Sequence, residues 1–208
     1  LDKFFECALK VNLPLALKKC ELYQKRVAFL GHELNHDGIH PSEKHLEKMR
    51  KWLQPTTIAE AKSFVCMLSY YRAFIKDVAT HARPLTLLFK KAAKFVWGTP
   101  QEEAFQYLKT AITTAPTLAR VNYKDTLVLA CDASNLGMGA VLMQQDAEGR
   151  RQPVYFASRK FNDTERGWTI SERELASCVF GISQFRHYLL GREFLLLCDH
   201  ESLKYLRT

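Results

Sequence analysis

Two unbroken apolar runs, Leu127-Val128-Leu129-Ala130-Cys131 and Phe194-Leu195-Leu196-Leu197-Cys198, each end in an aspartate. A run without alternation is typical of a strand covered on both faces. Each therefore reads as a buried strand, stopping at Asp132 and at Asp199. Between them, Thr169-Ile170-Ser171-Glu172 has the spacing of a capping box. It opens a helix through Leu175, Cys178, Val179, Ile182 and Phe185. The order strand, helix, strand thus sets an acid at each strand end and acids in the first turns of the helix.

Carboxylates delivered this way suit a pair of divalent ions, which prefer oxygen ligands and clamp the attacking and leaving oxygens of a phosphodiester. Taken singly, each acid has a second reading. Asp132 ends a strand and is either a turn-former or a ligand, and Asp199 mirrors it. Glu172 stands three residues after the capping Thr169, which gives it a structural task. Glu174 has no such task, and is the candidate ligand of the two. The residues after Asp132, Ala133-Ser134-Asn135-Leu136-Gly137, are mostly small or polar, so a large substrate can come close.

The rest of the chain is mixed. Residues 2–13 place Phe4, Phe5, Ala8 and Leu9 at helical spacing until Pro14, and Leu15 to Leu17 reads as a short candidate strand. Asp37-Gly38 between apolar runs makes 22–40 a β-hairpin. From Ser42 the period turns helical, with Leu46, Met49, Trp52 and Leu53 on one face. A second helix is capped by Thr57-Ile58-Ala59-Glu60 and runs through Phe64, Met67, Leu68, Tyr71 and Phe74-Ile75. A shorter segment follows near Pro84 to Lys91. Lys94 to Gly98 is a boundary, and Thr99 caps the next helix, with Pro100 in its first turn. Strands are expected over 126–131, 139–143 and 153–157, with a turn at Asp146-Ala147-Glu148-Gly149. Glu201 to Leu206 begins another helix.

The formal charge is +8, from 30 basic and 22 acidic residues. Residues 41–97 hold eleven Lys or Arg against four Asp or Glu, so nearly all the excess lies there. Interleaved with Trp52, Phe64, Tyr70, Tyr71 and Phe74, those cations suit a nucleic-acid backbone; a solvated helical face is the plainer alternative. No run approaches the ~20 apolar residues of a membrane span. The six cysteines form no Cys-x-x-Cys pair and sit mostly in apolar runs, which reads as a reduced, intracellular protein without a disulfide framework. Leu1-Asp2-Lys3 has neither an initiator Met nor a signal pattern, as expected of a piece of something longer.

His32-Glu33-Leu34-Asn35-His36 matches the zinc-protease pattern His-Glu-x-x-His letter for letter. That chemistry needs the motif on a helix. Flanked by Gly31 and Asp37-Gly38, it reads as strand, where positions four apart stand roughly 13 Å apart. One zinc cannot bridge them.

Over essentially its whole length the chain resembles the Pol polyprotein of gypsy-type long-terminal-repeat retrotransposons. The matching stretches include Val27-Ala28-Phe29-Leu30-Gly31-His32, Gly38-Ile39-His40-Pro41, Tyr70-Tyr71-Arg72-Ala73-Phe74-Ile75 and Arg83-Pro84-Leu85-Thr86. They continue with Cys131-Asp132-Ala133-Ser134, Phe156-Ala157-Ser158-Arg159, Phe185-Arg186-His187-Tyr188-Leu189-Leu190-Gly191 and Asp199-His200-Glu201-Ser202-Leu203-Lys204-Tyr205-Leu206.

The resemblance implies an α+β order of parts. Residues 1–40 look like the end of a reverse transcriptase palm with a primer-grip-like hairpin. Residues 41–92 look like a helical thumb, and 93–208 like a C-terminally truncated ribonuclease H domain with a mixed sheet and packed helices. It implies that Asp132, Glu174 and Asp199 are the catalytic, metal-binding acids, holding Mg²⁺, with Mn²⁺ as an alternative, and that Glu172 is not among them.

The implied partners are an RNA–DNA hybrid or primer–template duplex and the remainder of Pol, with no membrane; the implied compartment is cytoplasmic or nuclear. No Asp-Asp dipeptide of the family's polymerase motif occurs, so polymerisation is not expected of this chain by itself. Truncation implies exposed apolar surface on the sheet. The expected activity is two-metal hydrolysis of RNA in RNA–DNA hybrids; the alternative is a non-catalytic nucleic-acid-binding relic or domesticated fragment.

Overall fold

The computed structural model describes residues 1–90 and 94–199. Helix α1 (Asp2–Lys10) ends ahead of Pro14 and buries only Ala8. The candidate strand at Leu15 to Leu17 is instead the lead into a 3-10 turn, Leu17–Lys19. Then β1 (Val27–Phe29), β2 (His32–Leu34) and β3 (Ile39–Pro41) form a small antiparallel sheet. The expected hairpin over 22–40 is therefore a three-stranded meander with two turns. The Asp-Gly turn is one of them: Asn35 Oδ1 accepts the N–H groups of Asp37 (2.9 Å) and Gly38 (3.1 Å). The other is Leu30-Gly31, with both residues left-handed at φ 46° and 73°.

A helical unit follows: α2 (Glu43–Arg50), α3 (Ile58–Tyr70), α4 (Val78–His81) and α5 (Arg83–Leu87). Thr57 caps α3 by accepting the Glu60 N–H. The Glu60 carboxylate reaches back one residue further than a capping box requires, to the Thr56 N–H at 2.7 Å. The α-helical period stops at Tyr70, and a 3-10 turn carries Phe74 into the core. Helix α6 (Thr99–Thr113) is capped one residue earlier than expected. Gly98 takes the N-cap place and its N–H donates to Gln101 Oε1 at 3.1 Å. Its stripe of Phe105, Leu108 and Ile112 packs with Met49, Phe64 and Leu68 of the helical unit.

The second sheet contains β4 (Thr126–Ala133), β5 (Gly137–Gln145) and β6 (Arg151–Lys160). The chain then forms α7 (Ile170–Gln184), α8 (Arg186–Leu189) and β7 (Phe194–Leu197). The strand order is β6-β5-β4-β7; β4 and β7 are parallel and the other pairs antiparallel. Helix α7 covers one face over β4 and β5, and α4 meets the other at β6. Leu127, Val128 and Leu129 are buried, as their unbroken apolar run requires. β7 differs: it is the sheet's edge, and Leu195 and Leu196 are each 43% exposed. This is an α+β fold with a mixed sheet. The helix expected at Glu201 to Leu206 lies outside the described residues. Among those residues no helix is long and apolar enough to cross a membrane.

Candidate functional site

Strand alternation decides where Asp132 points. Leu129 and Cys131 face α7, because a Cβ added at Gly181 of α7 would meet Cys131 Sγ at 2.8 Å and Leu129 Cδ1 at 3.3 Å. Asp132 therefore leaves β4 on the opposite face. Its cross-strand partner is Gly139, and directly opposed residues share a face. There a Cβ at Gly139 would collide with Asp77 Oδ1. Asp77 precedes α4 in a left-handed conformation, φ 50°. Asp132, Asp77, Lys76 and Gly139 line a small cavity of about 70 Å³. Burial raises the Asp77 carboxyl above its ordinary range; Lys76 opposes this and the charge of Asp132 adds to it.

Glu174 lies on the other side. It is 5% exposed on the inner face of α7, close enough for its charge to act on the thiols of Cys131 and Cys178. Glu172 closes the capping box: its Oε2 accepts the Thr169 N–H at 2.7 Å, and Thr169 Oγ1 accepts the Glu172 N–H at 3.3 Å. The bonds its carboxylate accepts from the Thr169 N–H and then from the Thr169 hydroxyl pull its pKa below the usual carboxylate value. Asp199 is exposed, two residues beyond β7. Ala130 pairs with Leu197 in the parallel register; Asp132 comes two residues after Ala130 within β4, and Asp199 two residues after the last residue of β7.

Asp132 and Glu174 thus approach from opposite faces of the sheet, and Asp199 follows β7, the strand that pairs with β4. Among the described residues no three His, Cys, Asp or Glu side chains are set to hold one ion together. Asp77 was missed from sequence, and only one signal could have flagged it. It is one of four acids in the basic segment 41–97, but its approach to Asp132 exists only in three dimensions.

None of the six cysteines is in a disulfide; Cys7, Cys20 and Cys66 are exposed, and Cys131 and Cys178 are buried. Cys178 is in hydrogen-bond contact with Cys131 and Cys198, and the bond with Cys131 is the main cause that lowers its pKa to about 7. The zinc-protease lettering is a strand and a turn. His32 stacks between Tyr70 and Phe74, while His36 sits at the surface against Asp37.

A family profile described as "RNase H-like domain found in reverse transcriptase" matches residues 97–196. The retrovirus-related Pol polyprotein from transposon 297 of Drosophila melanogaster is 39% identical over 95% of the chain. The corresponding polyprotein from transposon 412 of the same fly is 34% identical over 99%. The chain belongs to the retrovirus-related Pol polyproteins. It spans under a fifth of these relatives, 18% of the first and 17% of the second. Another Pol relative, the transposon Tf2-3 polyprotein of Schizosaccharomyces pombe, is 29% identical over 92% of the chain and covered to 15%. In fold, this Pol segment is similar to the foamy viral protease-reverse transcriptase in complex with dsDNA. The TM-score is 0.80 at 21% identity, over 99% of this chain and 43% of that one.

Proposed function

We propose that this Pol segment binds an RNA–DNA hybrid or primer–template duplex and hydrolyses the RNA strand, with Asp132, Glu174 and Asp199 as its catalytic acids. The observation that carries the reading is the parallel pairing of β4 and β7, with Ala130 opposite Leu197 and an aspartate two residues after each. Glu174 comes from the helix between those strands. The donor set is all carboxylate, which fits Mg²⁺ or Mn²⁺, and these three residues would hold the ions. Bound divalent ions supply charge stabilisation at the attacking and leaving oxygens.

The chain's own residues do the rest. Ser134 Oγ accepts the N–H groups of Leu136 and Gly137, which keeps the turn beside Asp132 tight and low enough for a duplex to approach. The cations of residues 41–92 act as a thumb-like grip on phosphates, and the meander that ends at Pro41 belongs to the end of the palm. The likeness in fold to a foamy viral protein described in complex with an RNA/DNA hybrid supports the choice of substrate (TM-score 0.75, 22% identity, 93% of this chain, 27% of that one).

The test is cleavage of a labelled RNA–DNA hybrid by the purified chain, first with Mg²⁺ and then with Mn²⁺, beside Asp132→Asn. Cutting is expected to vanish in the variant while hybrid binding persists. Cutting that survives in Asp132→Asn would remove that residue from the mechanism. The opposed faces of Asp132 and Glu174 favour one second reading, a non-catalytic nucleic-acid-binding segment. Its signature is binding without cutting in either metal.

A further inference from the structure

Away from the acids, four cations gather where the helical unit meets the second sheet. Arg83, Thr86 and Lys90 are spaced i, i+3, i+7 along α5 and the turn that extends it, so they share one side. Lys160 is the last residue of β6. It has the same parity as Ser158, whose Oγ accepts the Ala79 N–H at the α4 junction. Its Nζ donates to Thr86 Oγ1 at 2.6 Å, which brings the lysine onto the Arg83–Lys90 side of α5. Arg166 follows in the turn after β6.

Little negative charge offsets them. Glu165 is committed to Arg159, through two hydrogen bonds of 3.0 and 2.8 Å, and to the Asn162 N–H. Asp163, the ion-pair partner of Arg166 at 3.2 Å, is 98% exposed, and such pairs contribute little. Among the described residues Arg83, Lys90 and Lys160 have no ion pair. Burial first, and then the charges of Arg83, Arg166 and Lys90, push the Lys160 pKa below its ordinary value. Like charges held together at a joint weaken it until an anion arrives between them.

We propose that Arg83, Lys90, Lys160 and Arg166 form a seat for backbone phosphate of a nucleic-acid duplex, so that one duplex is held across both the helical unit and the sheet. This rests on the nucleic-acid reading above. Such contacts position a duplex without reading its sequence, and each one displaces counterions, so binding depends steeply on salt.

The test is a salt titration of hybrid binding by the whole chain, by the Arg83→Gln/Lys160→Gln pair and by Lys160→Arg. Each lost contact is expected to flatten the log–log slope by about 0.9, and the pair to weaken binding by at least about tenfold in ~0.1 M salt. Lys160→Arg should keep both slope and affinity, and thermal unfolding of each variant checks that the fold survives. An unchanged slope in a folded double variant overturns the proposal. Inorganic phosphate at matched ionic strength should compete no better than chloride. Competition at low concentration would make this a small-anion site and overturn the duplex assignment. If the unaltered chain binds no hybrid at any salt, the nucleic-acid reading itself falls, which is distinct from a variant that binds unchanged.

Discussion

Glu165 is a buried carboxylate at the turn after β6, held by a two-pronged Arg159 and by the Asn162 N–H. The Arg159 bonds are the main cause that lowers its pKa. A depressed folded-state value means stability that is present above the ordinary value of 4.5 and is lost as pH falls through the folded value. Glu165→Gln is therefore expected to cost about 1–2 kcal/mol at neutral pH and to flatten the acid limb of the unfolding curve. Urea midpoints at pH 7 and in acid check it, and an equal loss at both would refute it. Gly139 makes a second prediction. A Cβ there collides with Asp77 Oδ1, so Gly139→Ala should cost about 1–3 kcal/mol. Asp77→Ala should recover most of that in the double variant, and strictly additive losses would show that the two do not meet. The roles of Glu172 and Glu174 were separable in the sequence because the capping box fixes which glutamate looks back at Thr169. Asp77 was not separable, because no local pattern reports a contact between distant segments.

Among the elements, the two turns of the meander differ in how much the sequence reveals. Asp37-Gly38 is legible because Gly supplies the φ of 146° that the turn needs. Leu30-Gly31 is not, because Leu30 adopts a left-handed conformation that a leucine reaches only when tertiary contacts impose it. Those contacts come from the end of α3 and from the 3-10 turn beyond it. Tyr70 Oη donates to the Leu30 carbonyl and Tyr71 Oη to that of Gly31. A Cβ on Gly31 would meet His45 Cε1 at 2.9 Å and Tyr71 Oη at 3.1 Å. Gly31→Ala should thus destabilise by about 1–3 kcal/mol, more than Tyr71→Phe at about 1 kcal/mol. Equilibrium unfolding ranks the two, and the reverse order would mean that the hydroxyl, not the turn, sets this corner. Helix α7 misleads in another way. Its apolar residues lie on two sides: of the five at helical spacing, Cys178 and Phe185 are buried, while Leu175, Val179 and Ile182 face outward. The inner face is completed by Glu174, Ser177 and Gly181, which the apolar spacing did not pick out. Small residues won the inner face because they let the helix approach β4 closely, as the near contact at Gly181 records.

At the scale of the whole molecule, the break in sequence character at Lys94 to Gly98 is not a break in packing. Helix α6 lies beyond it and falls within the matched family profile, yet Phe105 and Leu108 complete the core formed by Phe64, Leu68 and Leu85 of the helical unit. The small sheet is tied in as well, by the Ile39 N–H to Leu118 carbonyl bond at 2.8 Å and its reciprocal at 3.0 Å. Phe156 of β6 packs against the same helical core. Units joined through a common core unfold together, because neither can expose its half without exposing the other's. Phe105→Ala is expected to remove about 3–5 kcal/mol and to lower both halves equally. Trp52 rests edge-on against Phe64, while Trp168 sits beside α7 over the sheet. Single-tryptophan variants retaining one or the other therefore report the two regions separately. Coincident urea transitions in the Phe105→Ala background are the expected outcome. A Trp168 transition that keeps its original midpoint while Trp52 melts early would mean that the sheet stands without the helical unit. In that case the duplex seat across the joint would join two independently stable bodies, not one.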